Sequence, residues 1–249
     1  MKFWESQGMA SRGARRRLRI PRPALAAAAV ALAAGAVAVF CTELFTVTTV
    51  RFHGCASVPK DSLETVRIGF TGSNLVTLRT GWAGERLAAL PEVESVRFVR
   101  RPFHTVECRL VKREPVALLV AGSVREVDRE GVVLPARAGR GDIDLPLITG
   151  IAERAVAKES GRRSLARALE VLRLIRAEGV SPAGQVSEIH VDGEDIELVW
   201  TGTGTLIRLG RDEYASRVRK LKAVGTVLLD REGNPEIIDL RFDRQVIIR

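Results

Sequence analysis

The residues best suited to nucleophilic or metal chemistry in this 249-residue chain are three histidines and three cysteines. A Ser-His-Asp or Cys-His catalyst could be built from so few, but no G-x-S-x-G elbow is present to expose a serine nucleophile. His53 beside Cys55, and His104 near Cys108, suggest a Cys2His2 metal site. Strand geometry argues against it, because side chains four positions apart on a strand share a face but stand about 13 Å apart. Cys108 also alternates with Val106 and Leu110, which makes it a core residue. A Cys55–Cys108 disulfide is conceivable in an oxidising compartment, but needs Cα atoms within about 7 Å. Cys55 lies past one strand end and Cys108 inside another strand, which weighs against it. His190, in the strand-like SEIHVD, reads as structural or solvent-facing. Asp142-x-Asp144 reads as a solvated Gly-rich loop rather than a metal loop. Gly202-x-Gly204 lacks the third glycine and following helix of a dinucleotide fingerprint, and reads as a hairpin turn. No catalytic, cofactor or metal residue is assigned, and no small-molecule substrate is expected.

The charge points elsewhere. Thirty-nine Lys and Arg against 30 Asp and Glu give +9. Residues 1–23 hold Lys2, Arg12, Arg15, Arg16, Arg17, Arg19 and Arg22 against Glu5, which is +6 and leaves +3 for the rest. Trp4, Trp82 and Trp200 are scattered, and Arg100-Arg101 reads as part of a solvated face, so no base-stacking platform supports nucleic-acid binding. The basic residues instead abut 20 uncharged residues, Pro23–Thr42. As a helix these extend about 30 Å, the thickness of a bilayer's hydrocarbon core. The predicted organisation is a basic cytoplasmic arm over 1–22 and a transmembrane helix over 23–42, with the bulk of the chain outside. The rival is a cleaved signal peptide, since Ala36-Val37-Ala38 has the small-x-small form of a cleavage site. The long basic arm, and apolar character running on through Phe40 to Phe45, favour a retained anchor.

Beyond the span, residues 45–53 read as a strand and 58–67 as a helix with Ser57 as its N-cap, broken by Gly69 and Gly72. A second helix over 82–90 stops before Pro91. Two strands follow, VESVRFVRR and HTVECRLVK, separated at Pro102. The order β-α-α-β-β predicts two helices on one face of a three-stranded sheet, over 45–113. From Glu114-Pro115 strands dominate. Val116–Val120 is apolar, Arg125–Leu134 reads as two strand edges around a Gly turn, and Asp144–Gly150 as an extended loop. The spacing predicts a helix over 162–178 with Leu165, Ala168, Leu169, Leu172 and Ile175 inward. Strands at 186–191, 195–200 and 205–209 precede a second helix over 213–229, and 236–249 reads as a closing strand.

Ordered along the chain, FTVTTVRFHGCASVPKDSL, SNLVTLRT, LAALPEVESVRFVRRPFHTVECRLVKREPVAL, VDREGVVL, DLPLITG and IIDLRFDRQVIIR together resemble the FtsQ/DivIB family of bitopic division proteins. The resemblance covers nearly the whole chain; it departs in a short arm and an end at Arg249 without extension. It implies an α+β protein: a single N-terminal transmembrane helix, a POTRA domain over 45–113, and a mixed β-rich domain with two helices over 114–249. It also implies a non-enzymatic scaffold linking early and late division proteins, which binds FtsB and FtsL outside the membrane and helps control septal peptidoglycan synthesis. The implied location is the inner membrane at the septum, N-terminus in the cytoplasm, with the bilayer and other divisome membrane proteins as partners. The alternative is an exported POTRA-type chaperone or docking module for outer-membrane β-barrel assembly. A wall-processing enzyme would need converging acid and base groups, which the sequence does not offer. If a partner adds a strand at the chain's end, Asp239, Leu240, Arg241 and Phe242 are the candidate contacts, with Arg241 a surface charge and Phe242 either an anchor or core.

Overall fold

A computed structural model describes residues 21–41, 45–102, 104–135, 144–180, 186–201, 203–228, 235–242 and 245–249. The side chains of 22, 36, 38–41 and 226–228 fall outside it. The arm up to residue 20, Asp142 and Gly202 therefore lie outside the described residues.

The uncharged segment forms helix α1, Arg22–Cys41. Its described side chains from Pro23 onward are apolar and exposed, with Val30 and Leu32 at 69% and 76%. Among the described residues no helix is long and apolar enough to cross a membrane.

The next strands build a three-stranded sheet in the order β1-β3-β2, from Thr49–His53 (β1), Val93–Arg101 (β2) and Thr105–Lys112 (β3). The parallel β1–β3 register sets Phe52 opposite Cys108. The antiparallel β2–β3 register does the same for Phe98. The face so defined packs on α2 (Lys60–Phe70) and α3 (Gly81–Ala88), through Val66, Phe70, Ala83 and Leu87. The Phe70 ring meets Trp82 and Phe98 edge-on at 5.5 and 5.4 Å. Cys108 is fully buried, and both it and Cys55 are free thiols. Burial pushes the Cys108 thiol up to about 12, so it stays protonated and unreactive.

Two local expectations change. The α2 cap is Pro59 rather than Ser57, because proline's fixed φ suits the helix entry and no side-chain bond closes it. Gly69 lies inside α2 instead of breaking it. A Cβ there would stand 2.6 Å from the Trp82 ring, so the glycine lets the α3 indole pack against the helix.

The second sheet has eight strands in the order β11-β10-β9-β8-β7-β6-β4-β5. Hairpin β4 (Pro115–Ala121) and β5 (Ser123–Asp128) forms one end. The segment expected to be a loop contains β6 (Leu147–Thr149), an interior strand parallel to both β4 and β7. Pro146 is tolerated because it precedes the strand, and its carbonyl accepts from the Leu118 N–H. A meander follows, β7 (Val186–Asp192), β8 (Asp195–Trp200) and β9 (Leu206–Gly210). Alternate residues Leu119, Ile148, Ile189, Leu198, Ile207 and Ile238 are all fully buried on one face. Helix α5 (Glu159–Glu178), preceded by the short α4 (Glu153–Val156), covers that face with Leu165, Ala168, Leu169, Leu172 and Ile175. Helix α6 (Tyr214–Leu228) adds Tyr214, Val218 and Leu221. The other face, which carries Leu118, Thr149, Glu188, His190, Glu197 and Arg208, is half-buried.

Asp128 fastens the connection between the two sheets. One carboxylate oxygen accepts from the backbone N–H groups of Glu130 and Val132 at 2.9 and 2.8 Å, which closes the V-D-R-E-G turn. The other takes Arg113, one of the two residues joining β3 to β4, at 2.5 Å, and Glu130 takes the same guanidinium at 2.6 Å. Arg129 from this turn pairs with Glu94 of β2. Asp128 is 3% exposed, so Asp128→Ala removes three bonds at once and leaves Arg113 only its exposed partner. The expected loss is about 3 kcal/mol, read by urea unfolding. A change within experimental error would show that the turn holds without its carboxylate.

A candidate partner-binding edge

The chain closes in two strands, where the sequence suggested one. After α6, β10 (Ile237–Asp239) lies parallel to β9, with Ile237 opposite Leu206 and Asp239 opposite Arg208. A helical crossover is what a parallel neighbour requires. Backbone bonds extend this pairing at both ends, from Leu206 N–H to Glu236 carbonyl and from Leu240 N–H to Arg208 carbonyl. The chain then turns back, and β11 (Ile247–Ile248) pairs antiparallel with β10, Ile238 opposite Ile248. Arg249 and Ile237 exchange both of their backbone bonds at 3.0 and 3.1 Å. In an antiparallel ladder the next residue then points its own N–H and C=O the other way, so those of Ile248 face outward, off the end of the sheet. The Ile248 side chain is 39% exposed.

The four residues singled out from sequence divide into two kinds. Asp239 and Leu240 are buried. Asp239 is a turn residue: its Oδ1 accepts from the Arg241 backbone N–H at 3.1 Å, and its carboxylate takes the Arg241 guanidinium at 2.6–3.1 Å. Arg241 is therefore not a free surface charge but half of an ion pair, with its side chain 42% exposed. Phe242 is 41% exposed, so burial does not account for it, and its carbonyl accepts from Lys220 of α6 at 3.1 Å. The turn that carries them needs Gly210 at the end of β9. A Cβ there would meet Arg217 Nη1 at 2.7 Å and the Arg241 stem at 3.1 Å. Arg217 itself is buried, donates to the Leu209 carbonyl at 2.5 Å and pairs with Asp212 at 2.5 Å, which ties α6 to the end of β9.

Beside this turn the open sheet face carries a charged row that sequence reading missed. Glu197 of β8 and Arg208 of β9 are ladder partners bonded at 3.1 Å, and Asp239 continues the row. The available signal was a charged residue flanked by apolar ones in each strand, Glu197 in DIELVW and Arg208 in LIRLG. The arrangement offers main-chain donors and acceptors at Ile248, an exposed aromatic and a half-exposed guanidinium. It can recognise an extended polypeptide, adding a strand outside β11. His190 and Glu188 of the same face both contact the Thr149 hydroxyl, at 2.7 and 2.5 Å. A single hydroxyl proton serves only one of them, and the three side chains form one hydrogen-bonded cluster.

The Arg241 hydrogen bonds hold the Asp239 carboxyl below the ordinary carboxylate range, against the opposing effect of burial. A depressed folded value stabilises the native state above the unfolded value of about 3.9 and loses that contribution as pH falls through the folded one. Arg241→Gln should melt below wild type at neutral pH, and the two curves should converge in acid below about pH 4. A gap that persists into acid would mean that the pair does not stabilise the turn through charge.

Residues 117–241 match the family described as Cell division protein FtsQ/DivIB, C-terminal. A Cell division protein FtsQ of Anaeromyxobacter sp. (strain K) is 35% identical over 196 residues, covering 77% of this chain and 66% of that protein. One of Geotalea daltonii is 26% identical, over 72% of this chain and 66% of its own length. A third, from Myxococcus fulvus, is 29% identical over 79% and 69%. The chain thus spans just under two thirds of the length of the first two relatives.

Proposed function

Since the chain belongs to the FtsQ/DivIB family of cell division proteins, we propose that it is a membrane-anchored, non-enzymatic divisome scaffold whose closing hairpin receives a strand from the FtsB–FtsL pair. In this reading it joins early and late division proteins at the septum and helps control septal peptidoglycan synthesis there. Residues 45–113 are its POTRA domain and 114–249 its β domain. Each has a sheet and an apolar core of its own, which supports treating them as separate units. The observation that carries the reading is the outward-facing backbone of Ile248 at the end of the eight-stranded sheet. The test is retention of purified FtsB–FtsL on the immobilised full chain. Retention is expected, and its absence would overturn the partner assignment.

Helix α1 supports the anchor: its described side chains are all apolar and exposed, which fits a lipid surround better than water. The seven basic residues within 1–22, the last of them the first residue of α1, favour an N-terminus in the cytoplasm. Sequencing the mature protein should return an N-terminus ahead of the span. A chain starting at Val39 would instead make α1 a cleaved signal.

A further inference from the structure

The face of the three-stranded sheet turned away from α2 and α3 carries more positive charge than the chain balances. Strand register puts Arg51 of β1, Arg97 and Arg101 of β2 and Arg109 of β3 on this one face. All four are exposed. The one carboxylate among them is Glu107 of β3, opposite both Arg51 and Val99. It is occupied already, bonded to Arg101 and Arg109 at 3.0 Å each. Among the described residues, Arg51 and Arg97 have no carboxylate partner. Four guanidiniums against one carboxylate leave an excess of three positive charges on a patch three strands wide, about 10 Å across. Apolar side chains sit between them, Val99 half-buried and Val111 51% exposed.

Forked guanidinium cations spread over one sheet face suit an array of phosphates, each of which they can bind bidentately. Its tether is short. From Cys41 at the end of α1 to Thr49 at the start of β1 the chain reaches about 27 Å when fully extended. A membrane holding α1 therefore stays within reach of the patch at high effective concentration. We propose that this face binds the anionic phospholipid headgroups of the leaflet from which the chain emerges, which would lay the three-stranded sheet against the membrane. The proposal rests on α1 being a membrane anchor.

The test uses the full chain in lipid nanodiscs, of phosphatidylcholine alone or of an equal mixture with phosphatidylglycerol, each doped with a headgroup-attached gadolinium chelate. Amide resonances of Arg97, Val99, Arg109 and Val111 report proximity to the headgroups. They should broaden strongly in the mixed disc and weakly in the neutral one. The difference should vanish when salt is raised to about 0.5 M, where screening shortens to a few ångströms. Each arginine counts for about fivefold in affinity for an anionic surface. Arg51→Gln with Arg97→Gln, which adds no carboxylate beside Glu107 or Arg109 and so spares both bonds to Glu107, should then cut the lipid-bound population by more than tenfold without altering the melting temperature. Equal broadening in the two discs, or undiminished broadening in the double variant, would overturn the proposal. So would resonances that ignore lipid composition yet shift with poly-glutamate, a result that assigns the face to an acidic protein. A chain that alkaline carbonate strips from neutral discs overturns the anchor and the proposal with it. Failure of the face alone leaves the chain firmly in both discs.

Discussion

Gly150→Ala should cost about 4 kcal/mol or more, enough to deprive the eight-stranded sheet of its native pairing at the centre. Gly150 ends the D-L-P-L-I-T-G segment just after β6, at φ +83, and a Cβ built on it would stand 2.1 Å from the Val191 carbonyl oxygen. That neighbour is backbone of β7, which is paired with β6 on one side and β8 on the other, so it cannot swing aside as a side chain can. The effect of conformation alone can be separated from the clash with Gly193, in the β7–β8 turn. It has φ +59, and a methyl group added there would meet nothing within 4 Å. Gly193→Ala should cost only about 1–2 kcal/mol, the usual penalty of a left-handed non-glycine residue. Equal losses for the two variants in denaturant unfolding would mean that the close approach to Val191 is not what fixes this glycine.

Ending the chain after Asp239 should abolish FtsB–FtsL binding, since it removes β11, Arg241 and Phe242 together. It also removes the buried Leu240 and uncovers β10, so loss of binding would have to be read beside a lowered stability of the larger sheet. The α2–α3 core lies elsewhere and should keep its packing. Ile248→Pro gives a cleaner version. The bonds that hold β11 to β10 at its end are those of Arg249 with Ile237. The proline ring takes away an N–H that points off the sheet, a substitution edge strands accept. Binding should weaken at least tenfold, about 1.4 kcal/mol, with little change in melting. Phe242→Ala should likewise weaken binding and spare stability, because that ring is already 41% exposed.

What the residues alone made legible was whatever local pattern decides. Period-two alternation located β7, β8 and β9, and the inward stripe of α5 from Leu165 to Ile175 is the one the structure buries. The short strand β6 was not legible, because three residues after a proline look like a loop, and only pairing to β4 and β7 on either side makes them a strand. The closing hairpin escaped for a similar reason. Asp239 reads as one more strand residue until its carboxylate is seen to cap the Arg241 N–H and turn the chain. Arg113, Asp128, Glu94 and Arg129 come together across 15 to 35 residues of sequence, a separation at which neither spacing nor propensity carries information. Arg241 and Phe242 were legible as candidates, but not which of them is tied down; the bidentate pairing to Asp239 decides that.

Docking of the proposed partner strand outside β11 can be read from a photo-crosslinking amino acid at Ile248 of the full chain in dividing cells, with a matched probe at Val124 of β5, which is 59% exposed at the opposite end of the same sheet. A crosslink to FtsB or FtsL is expected from position 248 and none from position 124. Capture from Val124 with nothing from Ile248 would contradict docking outside β11 and move the partner to the other end of the sheet.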